Sequence, residues 1–145
     1  MRILGLDFGE KRIGVAVSDP LGITAQGIEV ISGTDLSSAI ERIKEICNQY
    51  EVERIVVGLP LRLDGSRGPA VVGVERFRDL LHDSTELPVV MVDERFSSKA
   101  AEKVLLVADL SRGKRKGIRD KLAAVLILDT YLNGLKTNPG VDVER

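Results

Sequence analysis

Apolar residues alternate or run continuously in the first third of the chain and recur at helical spacing afterwards. From Arg2 to Phe8, the positions Ile3, Leu4, Leu6 and Phe8 form a nearly continuous apolar run that reads as a β-strand packed on both faces. Gly9-Glu10-Lys11 punctuates it, and Arg12 to Ser18 then alternates Ile13, Val15 and Val17 with Arg12, Gly14 and Ala16, giving a second strand. Asp19-Pro20-Leu21-Gly22 turns the chain into a third strand over Thr24 to Ile31. Such short connections make the three strands antiparallel neighbours. After Ser32-Gly33, Thr34 can cap a helix whose apolar stripe is Leu36, Ile40, Ile43, Cys47 and Tyr50. Arg54 to Leu59, with Ile55-Val56-Val57, predicts a buried strand, and Pro60 to Pro69 a loop built on the Asp64-Gly65 turn pair. Val74, Phe77 and Leu81 predict a helix from Ala70 to about His82, with Pro69 suited to its first turn. Pro88 to Val92 reads as another buried strand, and Ser97 as the cap of a helix carrying Ala101, Val104, Leu105 and Ala108. The glycine-containing basic stretch Asp109 to Gly117 predicts a mobile loop, and Ile118 to about Leu135 a closing helix.

Three hairpin strands followed by βαβ crossovers imply an α/β fold with a mixed sheet covered by helices. The 145 residues, 43% of them hydrophobic, suffice for one core, so residues 1–136 are expected to form a single domain and 137–145 a polar tail. With 21 basic against 22 acidic residues, no global field draws the chain to nucleic acid or membrane, and any such attraction must come from local clustering. The apolar runs fall short of the ~18 residues a membrane span needs and no signal-peptide pattern is present, so a cytoplasmic protein is expected. The single cysteine, Cys47, rules out an internal disulfide and a thiolate cage for zinc, and its place on a helical stripe predicts core packing. A lone histidine, His82, and the lack of a G-x-S-x-G elbow leave nucleophilic hydrolase chemistry without its parts.

One position breaks the first strand. Asp7 interrupts an otherwise apolar run directly before a turn glycine, and a buried carboxylate without compensation costs several kcal/mol. It must therefore be hydrogen-bonded, bound to a cation, or set where the strand meets solvent. Asp93 and Glu94 follow the last strand, and Asp120 opens the closing helix on the same face as Ala123, Ala124, Ile127 and Tyr131. In open sheets with βα crossovers, ligands gather beyond the carboxyl ends of the strands, so acids distant in sequence could meet there. Each also has a plainer reading. Asp7 could fix the turn, Glu94 could pair with Arg95, and Asp120 could complement the helix dipole.

Carboxylates unaccompanied by histidine or cysteine favour Mg²⁺ or Mn²⁺. The reaction most often run by such a cage is phosphoryl transfer with two ions ~3.5–4 Å apart, which points to a phosphodiester or nucleotide substrate. The segment Arg112 to Lys121 carries six basic residues in ten, immediately around Asp120, and such a cluster can track a phosphate backbone without reading sequence. Aromatic residues are too few for a broad base-stacking platform.

Four ordered motifs carry a resemblance. Gly5-Leu-Asp-Phe-Gly-Glu-Lys-Arg-Ile-Gly-Val-Ala-Val-Ser-Asp19, Val57-Gly-Leu-Pro-Leu61 with Asp64-Gly-Ser66, Val92-Asp-Glu-Arg-Phe-Ser97 and Arg119-Asp-Lys-Leu-Ala-Ala124 together resemble the YqgF family. Its members are described as pre-16S rRNA nucleases and have also been named Holliday junction resolvases. The resemblance spans Ile3 to Leu135 and implies a ribonuclease H-like fold, with a five-stranded sheet in the order 3-2-1-4-5 and the second strand antiparallel. It implies Asp7, Glu94 and Asp120 as the catalytic, metal-binding acids, with Asp93 as a supporting group beside them. The leading expectation is therefore a nuclease that processes the 5′ end of pre-16S rRNA, with Lys11, Arg12, Arg95, Arg112, Lys114, Arg115 and Lys116 contacting nucleic acid, in a monomer or weak homodimer. Some junction resolvases of the superfamily place a fourth acid three residues after the last aspartate, where this chain has Ala123. The alternatives are a DNA junction resolvase, a non-catalytic module of ribosome assembly or transcription, and, from Asp7-Phe-Gly9, a sugar-kinase or actin-like nucleotide fold.

Overall fold

The computed structural model describes residues 1–9, 11–59, 64, 68–93 and 112–137, with the side chains of 120–135 in the last segment. Strands β1 (Arg2–Phe8), β2 (Arg12–Ser18) and β3 (Ala25–Ser32) are followed by helix α1 (Leu36–Tyr50), strand β4 (Val52–Leu59), helix α2 (Ala70–Thr85) and strand β5 (Val89–Asp93), and then by helix α3 (Arg112–Thr137). The sheet order is β3-β2-β1-β4-β5. β2 runs antiparallel to both β1 and β3, while β1, β4 and β5 are mutually parallel, as the hairpin and crossover connections require. The carboxyl ends of β1, β4 and β5 therefore share one edge.

Strand alternation divides the core in two. Leu4, Leu6, Ile13, Val15, Ile55 and Val57 face α1 and α2, which cover them with residues such as Ile43, Ile46 and Phe77. Ile3, Ala16, Val56 and Val90 face the other way and are covered by Ala124, Ile127, Leu128 and Leu132 of α3. Among the described residues, no helix is long and apolar enough to cross a membrane.

The hairpin turn after β2 is organised by Asp19, whose carboxylate accepts the backbone N–H groups of Ile23 at 2.7 Å and Thr24 at 2.8 Å. These bonds, led by Thr24, hold the carboxyl below the usual range. Gly22 takes the left-handed conformation the turn demands, at φ 70°.

The bounds of β3, the end of α2 and the bounds of β5 shift by one to three residues from expectation, and three further differences have a clear physical cause. Asp35, not Thr34, caps α1: it has extended backbone angles and accepts from Ser38 Oγ at 2.9 Å, while the Thr34 hydroxyl lies 3.0 Å from that of Ser32. β4 starts at Val52 because only Glu51 separates it from α1, turning the chain in a left-handed conformation with φ 54°. The largest correction concerns 112–117, expected as loop and found as the start of α3. Arginine and lysine are good helix formers, and Gly113 and Gly117, at about 1 kcal/mol each, do not stop a helix anchored further along by a buried face. The helix expected after Ser97, most of the loop 60–69, and the tail beyond 137 lie outside the described residues.

Cys47 is buried in α1 as its stripe predicts, and burial pushes its thiol up to about 12 from an ordinary 9.0. Because the folded value is the higher one, the protonated thiol's contribution is complete below pH 9.0 and is lost as pH rises through about 12. At pH 8 the native protein should therefore react with a thiol-selective disulfide reagent many times more slowly than the denatured chain; stoichiometric labelling of the native state within minutes would contradict this burial.

Candidate active site at the carboxyl edge of the sheet

Asp7 is the last inward position of β1 on the α3 side. Its parity is that of Ile3 and Gly5, whereas Leu4, Leu6 and Phe8 belong to the opposite core. Phe8 stacks on Phe77 of α2 with ring centroids 4.3 Å apart, which pins the end of β1 on the far face and leaves Asp7 turned toward α3.

The cross-strand partner of Asp7 is Gly14 of β2. A Cβ at Gly14 would collide with the backbone oxygen of Asp120, so the α3 backbone rests directly on β2 at this point. Asp7 and Asp120, 113 residues apart by their numbers, thus come to the two sides of one glycine. Asp120 stands in the third turn of α3, eight residues after Arg112, and the first turn holds no acidic residue. A dipole-capping role is thereby excluded, since that effect fades beyond the first turn. The face it shares is the expected one: Ala123, Ala124, Ile127 and Tyr131 are all buried.

Arg12, on the same face of β2 as Gly14, supplies the charge opposite Asp120. Its Nε lies 2.8 Å from Asp120 Oδ2, and the two side chains are 37% and 18% exposed. The pair is close without being a directed hydrogen bond: both atoms are buried and neither has a hydrogen-bond partner. The contact is therefore mainly Coulombic. An oxygen buried near a second carboxylate-bearing strand and lacking a donor is what a hard divalent cation would satisfy, and the donor set suits Mg²⁺ or Mn²⁺.

Among the described residues, no group of three or more His, Cys, Asp or Glu side chains converges on one point. Asp7 and Asp120 are the acids brought together, and Glu94 lies outside the described residues. Asp93 ends β5 exposed, in the parity of Val89 and Met91 on the α1 and α2 side, so it stands on the face opposite Asp7. Lys11 is exposed in the β1–β2 turn, its carbonyl accepting from Gly33 N–H at 2.9 Å. Arg112, Lys114, Arg115 and Lys116 occupy the first two turns of α3, and their side chains, with all of Arg95, lie outside the described residues. His82 is exposed, with Nδ1 2.9 Å from the Leu87 carbonyl, and takes no part.

Sequence reading misses Gly14 and the pairing of Arg12 with Asp120. The parity of Arg12, Gly14 and Ala16 on the strand beside Asp7 carries both signals.

A profile of the family described as "RuvX: Holliday junction resolvase" matches residues 1–134. A protein of Syntrophomonas wolfei named "Putative pre-16S rRNA nuclease" is 50% identical over 134 residues, covering 92% of this chain and 95% of its own. One of the same name from Halothermothrix orenii is 53% identical over 133 residues, covering 92% and 95%. Among solved structures, Thermus thermophilus RuvC in complex with a Holliday junction superposes with a TM-score of 0.63 at 16% identity, over 95% of this chain and 97% of that one. The fowlpox virus resolvase bound to junction DNA gives 0.54 at 15% identity, over 93% and 99%. These likenesses establish the ribonuclease H-like fold.

The contact at Gly14 makes a direct prediction. Gly14→Ala must push α3 off the sheet and should cost roughly 1–3 kcal/mol in denaturant unfolding. Gly134→Ala, on the same helix with nothing within 4 Å of the added methyl, should leave stability unchanged or raise it by up to about 1 kcal/mol. Equal effects at the two sites would refute the close approach.

Proposed function

The chain belongs to the RuvX/YqgF family, a family of nucleases, and on that premise we propose that it is a divalent-metal-dependent phosphodiesterase that processes the 5′ end of precursor 16S rRNA. The observation that carries the reading is the buried Asp120 oxygen without a hydrogen-bond donor, set across Gly14 from Asp7 at the carboxyl edge of the sheet.

Asp7, Glu94 and Asp120 would hold the cation, or a pair of cations. Glu94 has the sequence parity of Val90 and Val92, which pack on the α3 side, and is preferred to Asp93 for that reason. A bound Mg²⁺ or Mn²⁺ supplies Lewis acidity toward the phosphoryl oxygens and activates the attacking water. The chain's own share is to hold carboxylates at fixed positions on a rigid strand and helix and to bring the phosphate to them. Lys11 and the basic start of α3 do the latter. Arg112, Arg115, Lys116 and Arg119 recur at spacings of three, four and seven residues on a helix whose amino end already favours anions. Contacts of this kind position a backbone without reading bases.

A second reading, cleavage of four-way DNA junctions, draws on the description of the family profile. Position 123 speaks for the rRNA reading over it: Ala123 is 4% exposed, packed on the sheet where some resolvases carry a further acid.

The test offers single-stranded RNA, precursor rRNA and a four-way DNA junction to the protein with Mn²⁺, beside Asp7→Asn. RNA cleavage is expected, with the variant slower by about 10²–10³-fold, the scale of losing one preorganised electrostatic element, and with RNA binding and fold retained. Full activity in the variant would overturn the metal-site reading, and paired symmetric nicks confined to the junction would move the substrate to DNA.

A further inference from the structure

Arg12 lies where a substrate contact is expected, yet its Nε is buried against Asp120 Oδ2 at 2.8 Å. We infer that Arg12 is a positioning residue that serves as the internal counter-ion of Asp120, occupying the charge position of a metal ion and giving it up when one binds. The inference rests on the metal-site reading of Asp7 and Asp120.

Several observations point the same way. The Arg12 side chain is fixed at the start of β2, a strand whose opposite-parity residues Ile13, Val15 and Val17 are buried, so the guanidinium cannot leave the Asp120 region by a shift of backbone. Its side chain is still 37% exposed, which leaves an open path outward for a long flexible group. The Nε–H is not aimed at the carboxylate oxygen, so no directed bond is lost when a divalent ion takes over the oxygen. The Arg12 guanidinium and a divalent ion competing for Asp120 Oδ2 repel each other, and the ion of higher charge is favoured at the buried position. A guanidinium displaced outward at this edge is able to pair with a phosphate in bidentate fashion.

The consequence is an antagonism that a merely structural arginine would not show. Removing the guanidinium should tighten metal binding, because a competing cation is gone, and should weaken RNA binding in the presence of metal, because a phosphate partner is gone.

The experiment follows Mn²⁺ affinity by calorimetry and RNA affinity by fluorescence anisotropy for the wild type, Arg12→Gln and Arg12→Lys. It also follows the Arg12 Nε–H resonance of the wild type by NMR as Mg²⁺ is added, assigned by through-bond correlation to the residue's own backbone. Arg12→Gln should bind Mn²⁺ about tenfold more tightly and RNA about tenfold more weakly, the scale expected for one charge pair. Arg12→Lys should stay near the wild type in metal affinity. The wild-type Nε–H, slow to exchange with water without metal, should exchange rapidly at saturating Mg²⁺. Unchanged or weaker metal binding in Arg12→Gln, or an Nε–H indifferent to Mg²⁺ in a protein that binds Mn²⁺, would overturn the inference. Failure of the wild type to bind either ion would instead remove the metal site, and the counter-ion role with it. The NMR readout needs no variant to fold in order to decide the matter.

Discussion

The close approach of α3 to the sheet governs the rest of the molecule. A Cβ at Gly5 would fall 2.7 Å from Leu128 Cβ, one at Gly27 3.1 Å from Lys121 Cβ, and one at Gly14 would collide with the Asp120 backbone oxygen. These glycines lie on β1, β2 and β3 and, with Ala16, form a low strip across the antiparallel half of the sheet. Each glycine in a strand interior costs about 0.5–1 kcal/mol in backbone entropy. Against that, Ile127, Leu128 and Leu132 are fully or almost fully buried, and each contributes ~1.5–3 kcal/mol. The low seat of the helix is therefore favourable overall, and it is what carries a carboxylate on α3 down to the level of a carboxylate on β1.

The two faces of the sheet divide the work. On the α1 and α2 side, large residues such as Leu4, Leu6, Ile43 and Phe77 interlock, and Phe8 stacks there. That packing joins α1 and α2 to the sheet. On the α3 side Gly5, Gly14, Ala16 and Gly27 let the helix sit close, the strand ends hold Asp7 and Arg12, and the helix holds Asp120. Because alternate residues of a strand belong to different faces, Asp7 and Phe8 can serve opposite purposes while adjacent in sequence. The buried phenyl ring fixes the strand end, and the strand end fixes the carboxylate.

Most of the fold is legible in the sequence because its elements have clean periods. The apolar alternation of β2 and the spacing of Ile40, Ile43 and Cys47 identify their elements without ambiguity, and the short turns fix the antiparallel half. The boundaries are less legible where ordinary signals are missing: Glu51 and Glu86 end α1 and α2 in left-handed conformations that glycine usually marks. Arg112 to Gly117 deceives because its local composition suggests a loop, while the helix there is set by the buried face that begins at Ala123. Asp7 and Asp120 stand out as acids in apolar company. The role of Gly14 does not, since a glycine in a strand reads as a weakness until the helix resting on it is seen.

The length of α3 links its basic amino end to Asp120. Its first eight residues extend about 12 Å before Asp120, at 1.5 Å per residue. They hold Arg112, Lys114, Arg115, Lys116 and Arg119, and no acidic residue lies in the first turn. Positive side chains at the positive end of a helix dipole are repelled by it, so this segment is electrostatically strained in isolation. A phosphate backbone bound there would remove that strain and the repulsion among the cations in one step, releasing counterions. Since the same helix rests on Gly14 through Asp120, whatever steadies its amino end also steadies the carboxylate. The basic residues and Asp120 thus belong to one continuous helix, so that an anion bound at its amino end would be coupled to the position of the carboxylate.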